Sequence, residues 1–251
     1  MEEELNNYST DILLFRFVVS FCTIVSYVIG NAHYVGILIG YASVPSIVRD
    51  APGGCSLALR KIWFAKTTRY LLRGFLLRLT YQFVKMPPLP KRCVIALCHT
   101  PWALVLSHWC RENNHALVVT RSKKWKMRTR EIHVSGGFSQ TRKLIQHLLN
   151  DGKVCVHIDT SKSKTVISNL FGVKRPVSML PARLAGYTEA QLIGMIPIFE
   201  NGNLKLKISK PFFVGNQCKE QIQAIQNLIS FFDQEITQHP SALRGVLNIK
   251  A

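Results

Sequence analysis

The chain has 251 residues, 47% of them hydrophobic, and 32 Lys and Arg stand against 14 Asp and Glu for a formal charge of +18. That apolar content excludes a disordered polar chain, and the length suits one large domain with an appendage. A strongly cationic, apolar chain points to an anionic surface, of which nucleic acid and anionic lipid are the usual examples.

The N-terminus begins with the acidic MEEELNN, followed by one apolar stretch from Ile12 to Ile29 and a second from Tyr34 to Val48. A helix needs about 20 mostly apolar residues to cross a bilayer core, so the first stretch barely qualifies and the second falls short. An acidic start has the wrong sign for a cleaved signal peptide. Residues 1–50 are therefore expected to form a membrane-associated helix, or a hairpin dipping into the bilayer. The competing reading is a pair of apolar helices packed on the domain.

Residues 51–90 are expected to hold a basic amphipathic helix and a proline-rich link. Over residues 60–85, Lys66, Arg69 and Arg73 fall at i, i+3 and i+7, and Leu72, Phe75, Leu76, Leu79 and Phe83 fill the other side. That pattern suits an anionic membrane interface, or a surface helix with a solvated cationic face. Met86-Pro87-Pro88-Leu89-Pro90 ends the segment, because proline lacks the amide a helix needs.

Residues 91–251 alternate between strand and helix patterns. Cys93–Cys98 (CVIALC) is a continuous apolar run expected to be a buried strand, with a helix over about Trp102–Glu112 behind it. Ala116–Thr120 reads as a second strand, residues 139–150 as a helix, and Lys153–Asp159 (KVCVHID) as a third strand after the Asp151-Gly152 turn. Pro181–Tyr187 reads as helix and Gln191–Phe199 as strand. Asn201-Gly202 is a hairpin signal leading into the alternating Leu204–Ser209, and a long helix covers about Lys219–Gln238. Strands separated by helices predict an α/β domain with a mainly parallel central sheet flanked by helices.

Seven cysteines are scattered without a C-x-x-C pair, and are expected to be buried, unreactive thiols in a reducing compartment. His108, His115, His133, His147 and His157 show no metal-binding spacing, so no metal or redox cofactor is expected. His99 is the best-placed candidate for chemistry. It lies just past a buried strand at a helix entrance, where rigid backbone can aim an imidazole into a cleft as a general base; the bland reading is a structural histidine. Alternation along KVCVHID sets Val154, Val156 and Ile158 on one face and Cys155, His157 and Asp159 on the other.

At these residues the chain resembles the lipid A biosynthesis lauroyl and myristoyl acyltransferases and the wider glycerolipid acyltransferases. There a strand runs into H-x-x-x-x-E or H-x-x-x-x-D, matched here by ALCHTPWAL. VVTRSKKWKMRTR resembles the segment around a substrate-facing arginine, which would be Arg121. LIQHLLNDGKVCVHIDT is similar to the helix, glycine turn and strand that end in an aspartate, here Asp159. LFGVKRPVSMLPARLAGYTEAQLIGMIPIF resembles the F-G motif, the arginine-containing helix (Arg183) and the proline-ended strand, and DQEITQHPSALRG the C-terminal helix. The resemblance covers nearly the whole chain; each motif is weak and their order is fairly specific.

It implies transfer of a fatty acyl group from a thioester of acyl carrier protein or coenzyme A to a hydroxyl of a membrane lipid or glycolipid, on the cytoplasmic face of an inner membrane. His99 would be the base, and Arg121, Lys123, Lys124 and Arg183 would bind substrate. The chain departs from the pattern at Leu104, which stands where the acid should be, with Ala103 and Val105 apolar beside it. Asp159, from a neighbouring strand end, or Glu112 is the candidate replacement for an acid that orients the imidazole; Asp159 can equally be a strand-end residue capping a turn. The alternative is a catalytically degenerate homologue that binds lipid or assembles a pathway. The loop Arg121–Arg130 carries six cations in ten residues, around Trp125, and suits anionic lipid or an acidic carrier protein. Nucleic acid is not expected, given the apolar N-terminus.

Overall fold

The computed structural model describes residues 2–72, 89–114, 116–120, 131–133, 138–159, 165–200 and 203–243. Six strands, β1 (Cys93–Leu97), β2 (Leu117–Thr120), β3 (Glu131–His133), β4 (Lys153–His157), β7 (Gln191–Glu200) and β8 (Asn203–Ile208), form one sheet. Their order is β3-β2-β4-β1-β7-β8. Every pairing is parallel except the last, where β8 returns antiparallel beside β7 and Asn203 pairs with Glu200. The chain is therefore a mixed α/β protein with a mainly parallel sheet, and the late hairpin falls where the Asn201-Gly202 signal put it.

Interior parallel strands are covered on both faces, which is why their sequences read as unbroken apolar runs. All five residues of β1 are buried. On one face Cys93, Ile95, Leu97, Cys155 and Ile193 share a core with Leu106, Trp109 and Cys110 of helix α4 (Ala103–Asn114). On the other, Val94, Ala96, Val154, Val156 and Leu192 meet helices α5 (Phe138–Leu149), α6 (Leu180–Thr188) and α7 (Cys218–Gln238) through Leu144, Leu184 and Leu228. The period-two split expected for residues 154–159 is what sorts them. Helix α7 packs so closely on β7 that a Cβ at Gly194 would lie 2.8 Å from a ring carbon of Phe231.

The N-terminal helix α1 (Glu2–Leu38) is one continuous helix that takes in the first apolar stretch and only residues 34–38 of the second. Gly30 between them costs a helix only about 1 kcal/mol, too little to break it. After a left-handed turn at Gly40 and the short α2 (Ser46–Arg49), helix α3 (Gly54–Leu71) runs back along α1. Ser56 donates to Asn31 Oδ1 at 3.1 Å, and the Arg60 guanidinium lies 4.7 Å from the centre of the Tyr27 ring. Further along, Phe15 and Val18 pack beside Ala65 and Leu72. The crossing needs glycine at position 30, since a Cβ there would meet Cγ of Arg60 and lie 2.7 Å from its Cα. Cys22, Ser26 and Gly30, spaced by four, form the small-residue stripe that lets the helices approach.

The described part of the helix expected over residues 60–85 thus begins earlier and turns its apolar face inward. Ala58, Leu59, Ile62 and Ala65 are fully buried. Arg73, Phe75, Leu76, Leu79 and Phe83, the remainder of that pattern, lie outside the described residues. Helix α1, in contrast, exposes Leu13, Phe17, Ile24, Val28, Val35 and Leu38, with Phe17 69% exposed. Its segment Leu13–Leu38 is long and apolar enough to cross a membrane by length and composition.

A second hairpin was not foreseen. Strands β5 (Thr165–Leu170) and β6 (Val173–Ser178) pair antiparallel across Phe171-Gly172, both with positive φ, at 60° and 73°. Two such residues make the turn that matches strand twist. Phe171 is held there by its amide, which donates to Asp233 Oδ1 at 2.8 Å.

Candidate active site

The site forms where β1 and β4 end side by side. Their register pairs Leu97 with His157, and the Ile158 amide extends the ladder by donating to the Leu97 carbonyl at 2.9 Å. Two residues beyond Leu97 and His157 stand His99 and Asp159. The carboxyl ends of parallel strands are where open α/β sheets present their working residues.

His99 is fixed from both sides. The Thr100 amide donates to the Cys98 carbonyl at 2.9 Å, and Thr100 Oγ1 accepts the Trp102 amide at 3.3 Å, opening helix α4. Trp102 is fully buried against Ala65, Leu72, Val105 and Leu204, and its ring stacks 5.5 Å from that of Phe199. The tight segment 98–102 therefore leaves His99 little freedom.

Asp159 receives His99 twice. The His99 backbone amide donates to Asp159 Oδ2 at 2.9 Å, and the imidazole Nδ1–H donates to Oδ1 at 2.7 Å. A carboxylate on Nδ1 assigns the proton to that nitrogen and leaves the lone pair on Nε2. The His99 side chain keeps 29% of its surface, and that of Asp159 keeps 7%. Burial, the largest single influence on Asp159, pushes its pKa up. The hydrogen bonds from His99 and the neighbouring imidazoles outweigh it and hold the carboxyl below its usual range.

His157, on the same strand face as Asp159, lies under His99 with ring centres 4.0 Å apart and a 35° tilt. Its Nε2 is 3.4 Å from Ser107 Oγ on α4. Period-two alternation had aimed His157 and Asp159 to one side, and the structure adds His99 to that side. Ser107 went unnoticed in the sequence, because only its position on α4, four residues past the buried Ala103, brings it over β4.

The other expected site residues divide. Arg183 is on α6 with its guanidinium 5.8 Å from the centre of the Tyr187 ring, one turn along the same helix. Arg121, Lys123 and Lys124, with the rest of the basic loop, lie outside the described residues. Behind the site the cysteines are quiet. Burial raises the Cys98 thiol well above its ordinary value and Cys93 to about 12, and Cys155, held by a hydrogen bond with Cys110, is also raised. Cys218 is the exposed one of the seven.

What the arrangement can do follows from these contacts. A histidine with an ionised, buried carboxylate on Nδ1 and a lone pair on Nε2 can take a proton from a hydroxyl and return it to a leaving group. No family model and no curated protein matches the chain. Among solved structures, it is similar to the crystal structure of the 1-acyl-sn-glycerophosphate (LPA) acyltransferase PlsC from Thermotoga maritima. The identity is 14% and the TM-score 0.42, over 85% of this chain and 98% of that one. Backbones superposing this loosely share too little for one to instruct the other's chemistry.

Proposed function

We propose that the chain is an acyltransferase that moves a fatty acyl group from a thioester to a hydroxyl of a membrane lipid or glycolipid. The observation that carries this reading is the double hydrogen bond of His99 to Asp159, made at the residue where the acyltransferase-like motif places its base. In the proposed step, His99 Nε2 removes the acceptor hydroxyl proton as the oxygen attacks the thioester carbonyl carbon. The tetrahedral intermediate collapses, the C–S bond breaks, and the imidazolium returns the proton to the leaving sulfur. Asp159 stays ionised throughout, keeping the ring in the productive tautomer and stabilising the imidazolium. It fills the role that Leu104 cannot.

Acyl carrier protein or coenzyme A would supply the thioester, and neither a metal nor a redox cofactor enters the step. Arg121, Lys123, Lys124 and Arg183 are the proposed anchors for anionic groups on donor or acceptor. The exposed apolar face of α1 would seat in an anionic bilayer, in keeping with the +18 charge, on the cytoplasmic face of an inner membrane. Because α1 lies along α3, and α3 packs on the domain, a helix resting in the membrane surface fits these contacts better than one crossing it alone.

A lipid profile tests the reading. Membranes from cells expressing the chain, or its His99→Ala variant, are supplied with labelled acyl donor and all lipids are weighed by mass spectrometry. An acylated product that disappears with His99→Ala is the expected result. Identical profiles, with the variant folded and membrane-bound, would overturn the catalytic role of His99. They would favour the degenerate lipid-binding homologue that Leu104 suggests.

A further inference from the structure

Among the described residues, His99, His157 and Asp159 each offer one ligand atom, and these atoms all lie within 4.8 Å of one another. We propose that this triad is a binding site for a divalent transition-metal ion of the zinc type, and that the ion and general-base chemistry at His99 exclude one another. The second clause rests on the acyl-transfer reading; the first does not.

Two imidazoles and a carboxylate suit zinc, cobalt or copper, whereas magnesium and calcium prefer all-oxygen sets. A tetrahedral zinc site, with bonds of about 2.0–2.2 Å, sets its donors about 3.4 Å apart. The triad therefore needs side-chain rotations that close roughly an ångström. The backbone is already in place, because His157 ends β4 and the other two donors follow the paired ends of β1 and β4. The two rings are already close, with centres 4.0 Å apart and a 35° tilt between them. Ser107 Oγ, at 3.4 Å from His157 Nε2, is placed to steady that ring from outside. The +18 charge opposes a cation, but salt screens it beyond about 10 Å while coordination acts at bond length.

The exclusion follows from the donors. An ion takes either the Nε2 lone pair that serves as base or the carboxylate oxygen that holds the ring. Both leave His99 unable to accept the hydroxyl proton.

The test uses the full chain in detergent micelles, freed of metal by a chelator. Zinc is titrated by calorimetry, cobalt by its visible absorption, and magnesium serves as control. The expected result is one equivalent of zinc, cobalt bands of low coordination number, and no magnesium binding. His157→Gln should weaken zinc binding by at least about tenfold, since even an outer partner is worth roughly that much. No zinc binding, or binding equal in wild type, His157→Gln and Asp159→Asn, would overturn the site. If the variants misfold, copper paramagnetic resonance on the unmodified chain decides; nitrogen couplings from two imidazoles support the site, and one or none overturns it. Calorimetry uses no lipid or thioester, so its failure is separate from failure of the acyl-transfer reading. Zinc bound at the triad with acyl transfer unchanged would overturn the exclusion.

Discussion

Asp159 is ionised in spite of its burial because His99 reaches it with both a backbone amide and a ring nitrogen. A carboxyl whose folded pKa is depressed gives stability that is fully present above the unfolded value, about 4, and lost as pH falls through the lower folded value. The melting temperature of Asp159→Asn should therefore lie below that of wild type at neutral pH. The gap should start to narrow below about pH 4, as the carboxyl of the unfolded chain protonates, and close only at still lower pH, once the native carboxyl is itself protonated; thermal scans from pH 2 to 8 check this. Thiol chemistry is a second prediction at this scale. Cys218 should react quickly with an aromatic disulfide, half-buried Cys55 slowly, and the five buried cysteines only after unfolding. Labelling followed by peptide mass mapping reads the order. His99 was legible in the sequence as a histidine ending an apolar strand. Its bond to Asp159 was legible only as one of two candidates beside Glu112, because 60 residues separate His99 from Asp159 and parallel register depends on which strands become neighbours.

Among elements, those with a clear apolar run or period were readable, down to four-residue β2, and those without one were not. CVIAL, KVCVH and QLIGMIPIFE announce buried strands by unbroken apolarity, and α7 by its amphipathic period. Three-residue β3 and the β5–β6 hairpin escaped, since TVISNL and VKRPVS are half exposed and a Phe-Gly turn is not a standard hairpin signal. At the N-terminus, Gly30, just past the first apolar stretch, is the contact point of α1 with α3. Gly30→Val should force the helices apart and cost about 1–3 kcal/mol, the usual penalty for overpacking. Faster proteolytic release of the α1 segment measures it; release at the wild-type rate would show that the crossing tolerates the branch.

For the whole molecule, composition bears on surroundings and is silent about chemistry. A +18 charge and an apolar α1 face predict binding to anionic vesicles through two separable contributions. Raising salt should weaken binding by screening, and Phe17→Glu with Ile24→Glu should weaken it at every salt concentration by removing the apolar contact. Cosedimentation with vesicles checks both. The central claim is that His99 and Asp159 act as one unit in acyl transfer, and a double-mutant cycle tests it most directly. Turnover of a labelled acyl thioester onto lipid is measured for wild type, His99→Ala, Asp159→Asn and the double variant. The account predicts a loss of about 10³–10⁴-fold for Asp159→Asn, and a double variant no slower than His99→Ala alone. Losses that multiply in the double variant, an Asp159→Asn enzyme as fast as wild type, or no turnover by the wild-type chain would contradict it.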